Sequence, residues 1–235
     1  SVAMGGNNTA NGTFSFSMGK SNDAGGQASV AMGESNQTNG YYSIAMGKEN
    51  NYDGTTYVNS GEYSFAAGYR NVAAARGSIA MGNQNNYNIL SGISSVAMGY
   101  KNKTKGDNSI AIGNQNNLSV DSGGGSVAMG YYNRASGDYS VAMGYGNKTG
   151  VGVGDVANYS VAMGRNNTAS GDYSFAMGLD CSANGSYSVS MGFNNTASGS
   201  YSFAVGKDNT ASGGYSFSTG RDNDANANYS VAMGR

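Results

Sequence analysis

Residues 160–173 read SVAMGRNNTASGDY, and this stretch of fourteen residues recurs along the whole chain. Its opening, a serine followed by an apolar residue, a small residue, usually methionine, and then glycine, occurs sixteen times. Eleven of the fifteen intervals between those serines are 14 residues long. Self-similarity at a short fixed period is the signature of a solenoid, in which each repeat forms one coil. The repeat therefore predicts stacked coils.

Each position of the repeat has a constant character. The first is always Ser, the second Val, Ile or Phe, the third Ala or Ser, and the fifth always Gly, while the fourth holds all 12 Met residues. Apolar spacing of two favours a strand over a helix. A second short strand is predicted over Asn167–Gly171, and two strands of about five residues plus two turns account for one coil. We therefore predict an all-β, parallel β-solenoid of about fifteen coils, forming a single domain over residues 1–235.

The same pattern predicts which side chains fill the coil. Positions two and four share one face of the strand, and positions one and three share the other. We expect the large apolar face to point into the coil. The flat Ser/Ala face is then expected to lie against another copy of the chain. On this prediction, replacing Ala142, Ala162 and Ala176 by Glu would dissociate the oligomer.

The composition excludes several functions. The chain has 39 Gly, no Pro, no His and one Cys, with a net charge of −1. Without a basic surface it is not expected to bind nucleic acid. Without His and with a single Cys, we predict no zinc site, no disulfide framework and no enzyme of the usual acid–base type, and hence no cofactor. No apolar run is long enough to span a membrane. Since the chain begins and ends within a repeat, we interpret it as part of a longer protein.

The eighth position is Asn in fourteen of the fifteen copies that reach it, and Cys181 is the exception. Side-chain amides one coil apart can form a continuous hydrogen-bonded ladder. The invariant glycine at position five is expected to adopt a backbone angle that a side chain forbids. The residues that we select to represent this structural ladder are Asn133, Asn147, Asn167, Asn195, Gly144 and Gly164.

A tyrosine precedes the motif serine in many copies, for example at Tyr173 and Tyr187. Rings one coil apart can stack in a column. Such a column could brace a turn or a subunit interface, or it could bind glycans or a receptor. The sequence leaves both interpretations open.

The four longer intervals carry insertions at 51–62, 86–94, 117–125 and 148–158. Insertions on one face of a solenoid often form its binding face. They could instead widen the coil, with their apolar residues folded inward. We predict a receptor-binding row, and its candidate residues are Tyr52, Tyr57, Tyr87, Leu90, Leu118 and Val153.

The Ser-Val-Ala-Met-Gly strand, the 14-residue period and the Ala-Ser-Gly second half resemble the head repeats of YadA-type trimeric autotransporter adhesins. The repeat also resembles those of phage and giant-virus fibres. The resemblance covers essentially the whole chain. It implies a left-handed β-roll, a homotrimer, and an extracellular role at a cell surface or in a virion fibre.

Taken together, these features predict a non-enzymatic adhesin or fibre segment that forms a rigid rod and attaches to a host or surface receptor. Its expected partners are its own copies and a cell-surface or matrix receptor, glycans included, with no nucleic acid and no membrane insertion. Two alternatives remain. An ice-binding solenoid would need a regular array of Thr, which is broken here, and a purely structural filament would bind no receptor.

Overall fold

The computed structural model describes the chain in five stretches, which are residues 1–52, 60–86, 91–117, 122–150 and 157–235. These residues form strands joined by tight turns and include no helix. They belong to two compact units, Ser1–Asp121 and Ser122–Arg235. In each unit the strands are parallel, and each coil contributes one long strand to the same sheet. The predicted all-β parallel β-solenoid is therefore confirmed.

The first unit has eight long strands and two short ones. Its long strands follow the chain order within one sheet, and its two short strands pair with each other. The strands are β1 (Val2–Gly6), β2 (Phe16–Lys20), β3 (Asp23–Ala24), β4 (Val30–Glu34), β5 (Gln37–Thr38), β6 (Ile44–Lys48), β7 (Phe65–Tyr69), β8 (Ile79–Asn83), β9 (Val96–Tyr100) and β10 (Ile110–Asn114).

The second unit has eight long strands and seven short ones, with the long and short strands in separate sheets. The strands are β11 (Val127–Tyr131), β12 (Arg134–Ala135), β13 (Val141–Tyr145), β14 (Lys148–Thr149), β15 (Val161–Arg165), β16 (Thr168–Ala169), β17 (Phe175–Leu179), β18 (Ser182–Ala183), β19 (Val189–Phe193), β20 (Thr196–Ala197), β21 (Phe203–Lys207), β22 (Thr210–Ala211), β23 (Phe217–Arg221), β24 (Asp224–Ala225) and β25 (Val231–Gly234). The second strand of a coil is thus two residues long, shorter than the five predicted.

Equivalent positions of successive coils pair in register. In β15 and β17, Ala162 pairs with Ala176 and Gly164 with Gly178. Because the register is exact from coil to coil, every position of the repeat becomes a straight column along the stack. The sequence columns are therefore also columns in space.

The interior of the coil is filled by small side chains. Ala162 and Ala176 of the long strands pack on Ala169 and Ala183 of the short strands, and all four are fully buried. Except near the two ends of the chain, the motif serines and the column asparagines are buried beside them. The two sheets approach closely because their facing side chains are no larger than Asn.

The predicted orientation of the long strand is wrong. Val161 and Met163 lie on the outer surface and are only partly buried, while Ala162 between them is fully buried. Successive residues of a strand point to opposite faces, so the two faces are exchanged relative to the prediction. Ala142, Ala162 and Ala176 are thus core residues and cannot form a contact between copies. The physical reason is that position three faces closely packed alanines of the short strands, where Val or Met would be too large.

Two left-handed residues turn each coil at its corners. Asn166, at position seven, has φ 56°, and Tyr173, at position fourteen, has φ 57°. The invariant glycine also has positive φ, for example 126° at Gly178. A Cβ added there would lie 2.0 Å from the carbonyl oxygen of Gly192 in the next coil. The glycine is therefore required both for its backbone angle and for the close approach of coils. It lies within the long strand, which ends one residue later.

Candidate binding surfaces

The asparagine column forms a hydrogen-bonded ladder inside the coil. The side-chain nitrogen of Asn147 donates to the side-chain oxygen of Asn133 at 3.1 Å, and that of Asn167 donates to Asn147 at 2.9 Å. Asn147 also donates to the carbonyl oxygens of Met143 and Gly164. Each amide thus links its own coil to the coils on both sides.

The other selected residues of the ladder make equivalent contacts. Asn195 donates to the carbonyl oxygens of Met191 and Gly206 and accepts from Asn209. The carbonyl oxygen of Gly144 accepts from Asn133. These buried amides use their donors and acceptors on the protein itself, so the column is not available to a ligand.

Cys181 interrupts the ladder. Its thiol is fully buried, and its backbone N–H donates to the side-chain oxygen of Asn167 at 2.9 Å. Its backbone therefore makes the same hydrogen bond as the column asparagines, but its side chain supplies no amide to the next coil.

Five of the six candidate receptor residues lie outside the described residues, namely Tyr57, Tyr87, Leu90, Leu118 and Val153. The sixth, Tyr52, is partly buried. The receptor-binding row and the bounds of the insertions therefore remain predictions.

The points at which three insertions leave the coil are well defined. Asn51, Asn86 and Asn117 follow the column asparagine directly, are almost completely buried and have positive φ. Asn51 donates to the carbonyl oxygen of Gln37 and accepts from the backbone N–H of Ala73. It is therefore hydrogen-bonded to the coil before its own and to the coil after it. Sequence reasoning missed this second asparagine, although an Asn-Asn pair at positions eight and nine occurs only in these three coils.

Two of these insertions contact the core of their own coil through a buried serine near their C-terminal end. The hydroxyl of Ser60 donates to Ser43 at 3.0 Å, and that of Ser91 donates to Ser78 at 3.1 Å. Both contacts join a serine near the end of the insertion to the first residue of the same coil. An insertion can therefore vary in sequence without changing the neighbouring coils.

An apolar face covers the outer surface of the long strands. We use the term apolar face for the residues at positions two and four of these strands. In the second unit Met177 is 37% exposed and Phe203 is 41% exposed, and the other members range from partly buried to 68% exposed at Met233 in the last coil. An apolar surface repeated in every coil exceeds the scattered apolar residues of an ordinary surface.

The tyrosine column consists, in the second unit, of Tyr139, Tyr159, Tyr173, Tyr187, Tyr201, Tyr215 and Tyr229. Adjacent rings are stacked within 12° of parallel, at centroid distances of 4.8 to 5.3 Å. The predicted stack is confirmed. Each inner ring has a neighbouring ring over both of its faces, so a sugar cannot stack on those faces.

The tyrosine column forms one edge of the apolar face, and the residues at position six form the other. We call these residues the position-six edge, and in the second unit they pair in register from coil to coil. They are Tyr131, Tyr145, Arg165, Leu179, Phe193, Lys207 and Arg221. The guanidinium of Arg165 lies over the ring of Tyr145, 5.6 Å from its centroid. Partial burial raises the pKa of Tyr131, and the nearby phenols of Tyr132 and Tyr145 raise it further. This edge combines aromatic and cationic side chains.

The described residues contain no group of three or more His, Cys, Asp or Glu side chains placed to hold a metal ion. None of their secondary structure is a helix with the length and apolar character needed to cross a membrane.

Comparison with known families identifies the repeat. A family model described as the YadA head domain repeat matches the segments 1–22, 24–50, 60–85, 91–116, 122–147, 157–180, 183–209 and 211–235. These segments cover most of the chain, so the chain belongs to the YadA head repeat family. It is an adhesin-like fibre segment of the kind found in trimeric autotransporter adhesins. No curated protein matches the chain.

Proposed function

We propose that this chain is a rigid segment of an extracellular adhesive fibre, in which parallel copies associate through their apolar faces. The observation that carries the proposal is the half-exposed row of Val, Phe and Met along the long strands of each unit. Such a surface is costly in water, at about 25 cal/mol for each Å² of apolar area. A second copy would cover it with an identical period.

The number of copies that we propose is three. Membership of the YadA head repeat family supports a homotrimer. The geometry of the apolar face supports association of copies.

The adhesive part of the proposal concerns the insertions. Outside the apolar face, the tyrosine column and the position-six edge, the regular coils present a repeated surface of Asn, Ser, Thr and Gly, which offers little specificity. The insertions differ from one another, and a rigid scaffold commonly presents its binding residues on such variable segments. Several copies along one fibre would let weak contacts to a host receptor, including a glycan, act together.

Light scattering and a binding assay together test the proposal. The parent chain is expected to be oligomeric and to bind to host cells, matrix proteins or a glycan array. Trimming the four insertions to 14-residue coils should preserve the β circular dichroism and the oligomeric mass but reduce binding at least tenfold. A trimmed chain that binds as well as the parent would exclude the insertions as the site. An oligomeric parent that binds nothing would indicate a purely structural filament.

A further inference from the structure

We propose that the tyrosine column of one copy lies along the position-six edge of the next copy, forming a seam between neighbouring copies. This inference rests on the proposed self-association and names residues that would join the copies at the margins of the apolar face. It concerns the second unit, in which both edges are described over their whole length.

The tyrosine column has a surface that suits a periodic partner. In its inner part the rings of Tyr173, Tyr187 and Tyr201 are 45 to 50% exposed, although their faces are covered by one another. What they present outward is a strip of ring edges and phenol oxygens that repeats every 4.8 to 4.9 Å. A small ligand would meet only a few of these groups. A partner with the same repeat would meet them all.

The position-six edge has that repeat. Its residues pair in register from β11 to β23, so one side chain projects from each coil. Leu179 and Phe193 offer apolar contact to ring edges, and Phe193 is 41% exposed. Arg165 carries a guanidinium that can donate hydrogen bonds to phenol oxygens. The two edges are thus complementary in period and in chemistry.

Symmetry determines which edges meet. Parallel copies in a closed ring are related by rotation about an axis along the stack of coils. If the apolar faces point toward that axis, the rotation places opposite edges of adjacent copies together, whatever the number of copies. Like edges meet only if the copies are antiparallel. The seam therefore follows from parallel packing of the apolar faces, and its composition is set by positions six and fourteen.

Cross-linking of single cysteines tests the seam. We would prepare Leu179→Cys, Tyr187→Cys and the variant with both substitutions, and treat each with a short bismaleimide, to which two thiols add. Within one copy the two sites lie at opposite ends of a strand, and a five-residue strand is about 16 Å long. A cross-link between them must therefore join two copies. The double variant should give covalent oligomers in a denaturing gel.

The parent chain and the single variants serve as controls. Cys181 is fully buried, so the parent should give no cross-link. Each single variant should also remain monomeric in the gel, but an equimolar co-expression of the two should give covalent dimers. Cross-linking of either single variant alone would overturn the proposal, because it would place like edges together.

Light scattering before treatment separates the seam from the self-association. An oligomeric double variant that yields no cross-linked product would overturn the seam and leave self-association intact. A monomeric parent would overturn both. If the double variant fails to fold, the pair Phe193→Cys and Tyr201→Cys, one coil further along, repeats the test with the same expected outcomes.

Discussion

The side-chain amide of Asn167 donates a hydrogen bond to the side-chain oxygen of Asn147 in the preceding coil, at 2.9 Å. The same nitrogen lies 2.8 Å from the carbonyl oxygen of Met163 and 2.7 Å from that of Gly178. A buried carbonyl without a partner costs about 1–3 kcal/mol. The asparagine therefore hydrogen-bonds to backbone carbonyls of its own coil and the next coil near the end of the long strand.

Replacing Asn147 by Ala should lower the free energy of unfolding by about 3 kcal/mol, because the carbonyls of Met143 and Gly164 lose this buried donor. Urea unfolding followed by circular dichroism measures the change. Asn184→Ala is the matched control, since Asn184 is exposed at position eleven, and it should change stability by less than about 0.5 kcal/mol. Equal effects of the two substitutions would show that the column asparagine has no special role.

Restoring the ladder at its interruption should stabilise the chain. Cys181→Asn places an amide in the fully buried position where every other copy that reaches it has Asn. New hydrogen bonds to the carbonyls of Met177 and Gly192 are expected to raise the free energy of unfolding by about 1 kcal/mol. A decrease, measured by the same denaturation, would indicate that the site around Cys181 is too small for Asn.

The glycine column should tolerate no side chain. Gly178→Ala would combine a φ of 126° with a Cβ 2.0 Å from a backbone oxygen, so we expect a loss of about 3 kcal/mol or more. Gly214→Ala is the control, because the nearest atom to its added Cβ is a side-chain oxygen at 3.4 Å. Thermal unfolding of both variants compares them, and a stable Gly178→Ala would contradict the close approach of coils.

The tyrosine column should contribute to stability through ring contacts. Tyr187→Ala removes the ring contacts with Tyr173 and Tyr201 and should lower the free energy of unfolding by about 1–3 kcal/mol. Tyr187→Phe retains both rings and should be nearly neutral in guanidinium unfolding. A large loss in the Phe variant would instead assign the effect to the phenol hydroxyl.

The period, the parallel strands, the glycine column and the asparagine ladder could all be predicted from the sequence, because stacking converts each repeated position into a straight column. The orientation of the strand was predicted wrongly, because the largest apolar residues were assumed to fill the core. A signal was present. Position three never exceeds Ala or Ser, whereas position two ranges from Val to Phe. Constant small size marks a confined interior, and variable size marks an outer face.

The insertions are a different case. Their positions follow from the intervals between motif serines, but their contacts depend on sequences that occur once and have no repeat to interpret them. The buried asparagines at which three of them begin, such as Asn51, depend on hydrogen bonds to neighbouring coils. The Asn-Asn pair at positions eight and nine marks where these residues lie, but their hydrogen bonds follow only once the coils are stacked.

The light-scattering mass of a chain carrying Met143→Glu, Met163→Glu and Met177→Glu tests the central claim most directly. These methionines lie on the outward apolar face, whereas the interior is filled by alanine, serine and asparagine. The account predicts that the parent is oligomeric and that the triple variant is a monomer with unchanged β circular dichroism. An oligomeric mass equal to that of the parent, or loss of the β signal, would contradict it.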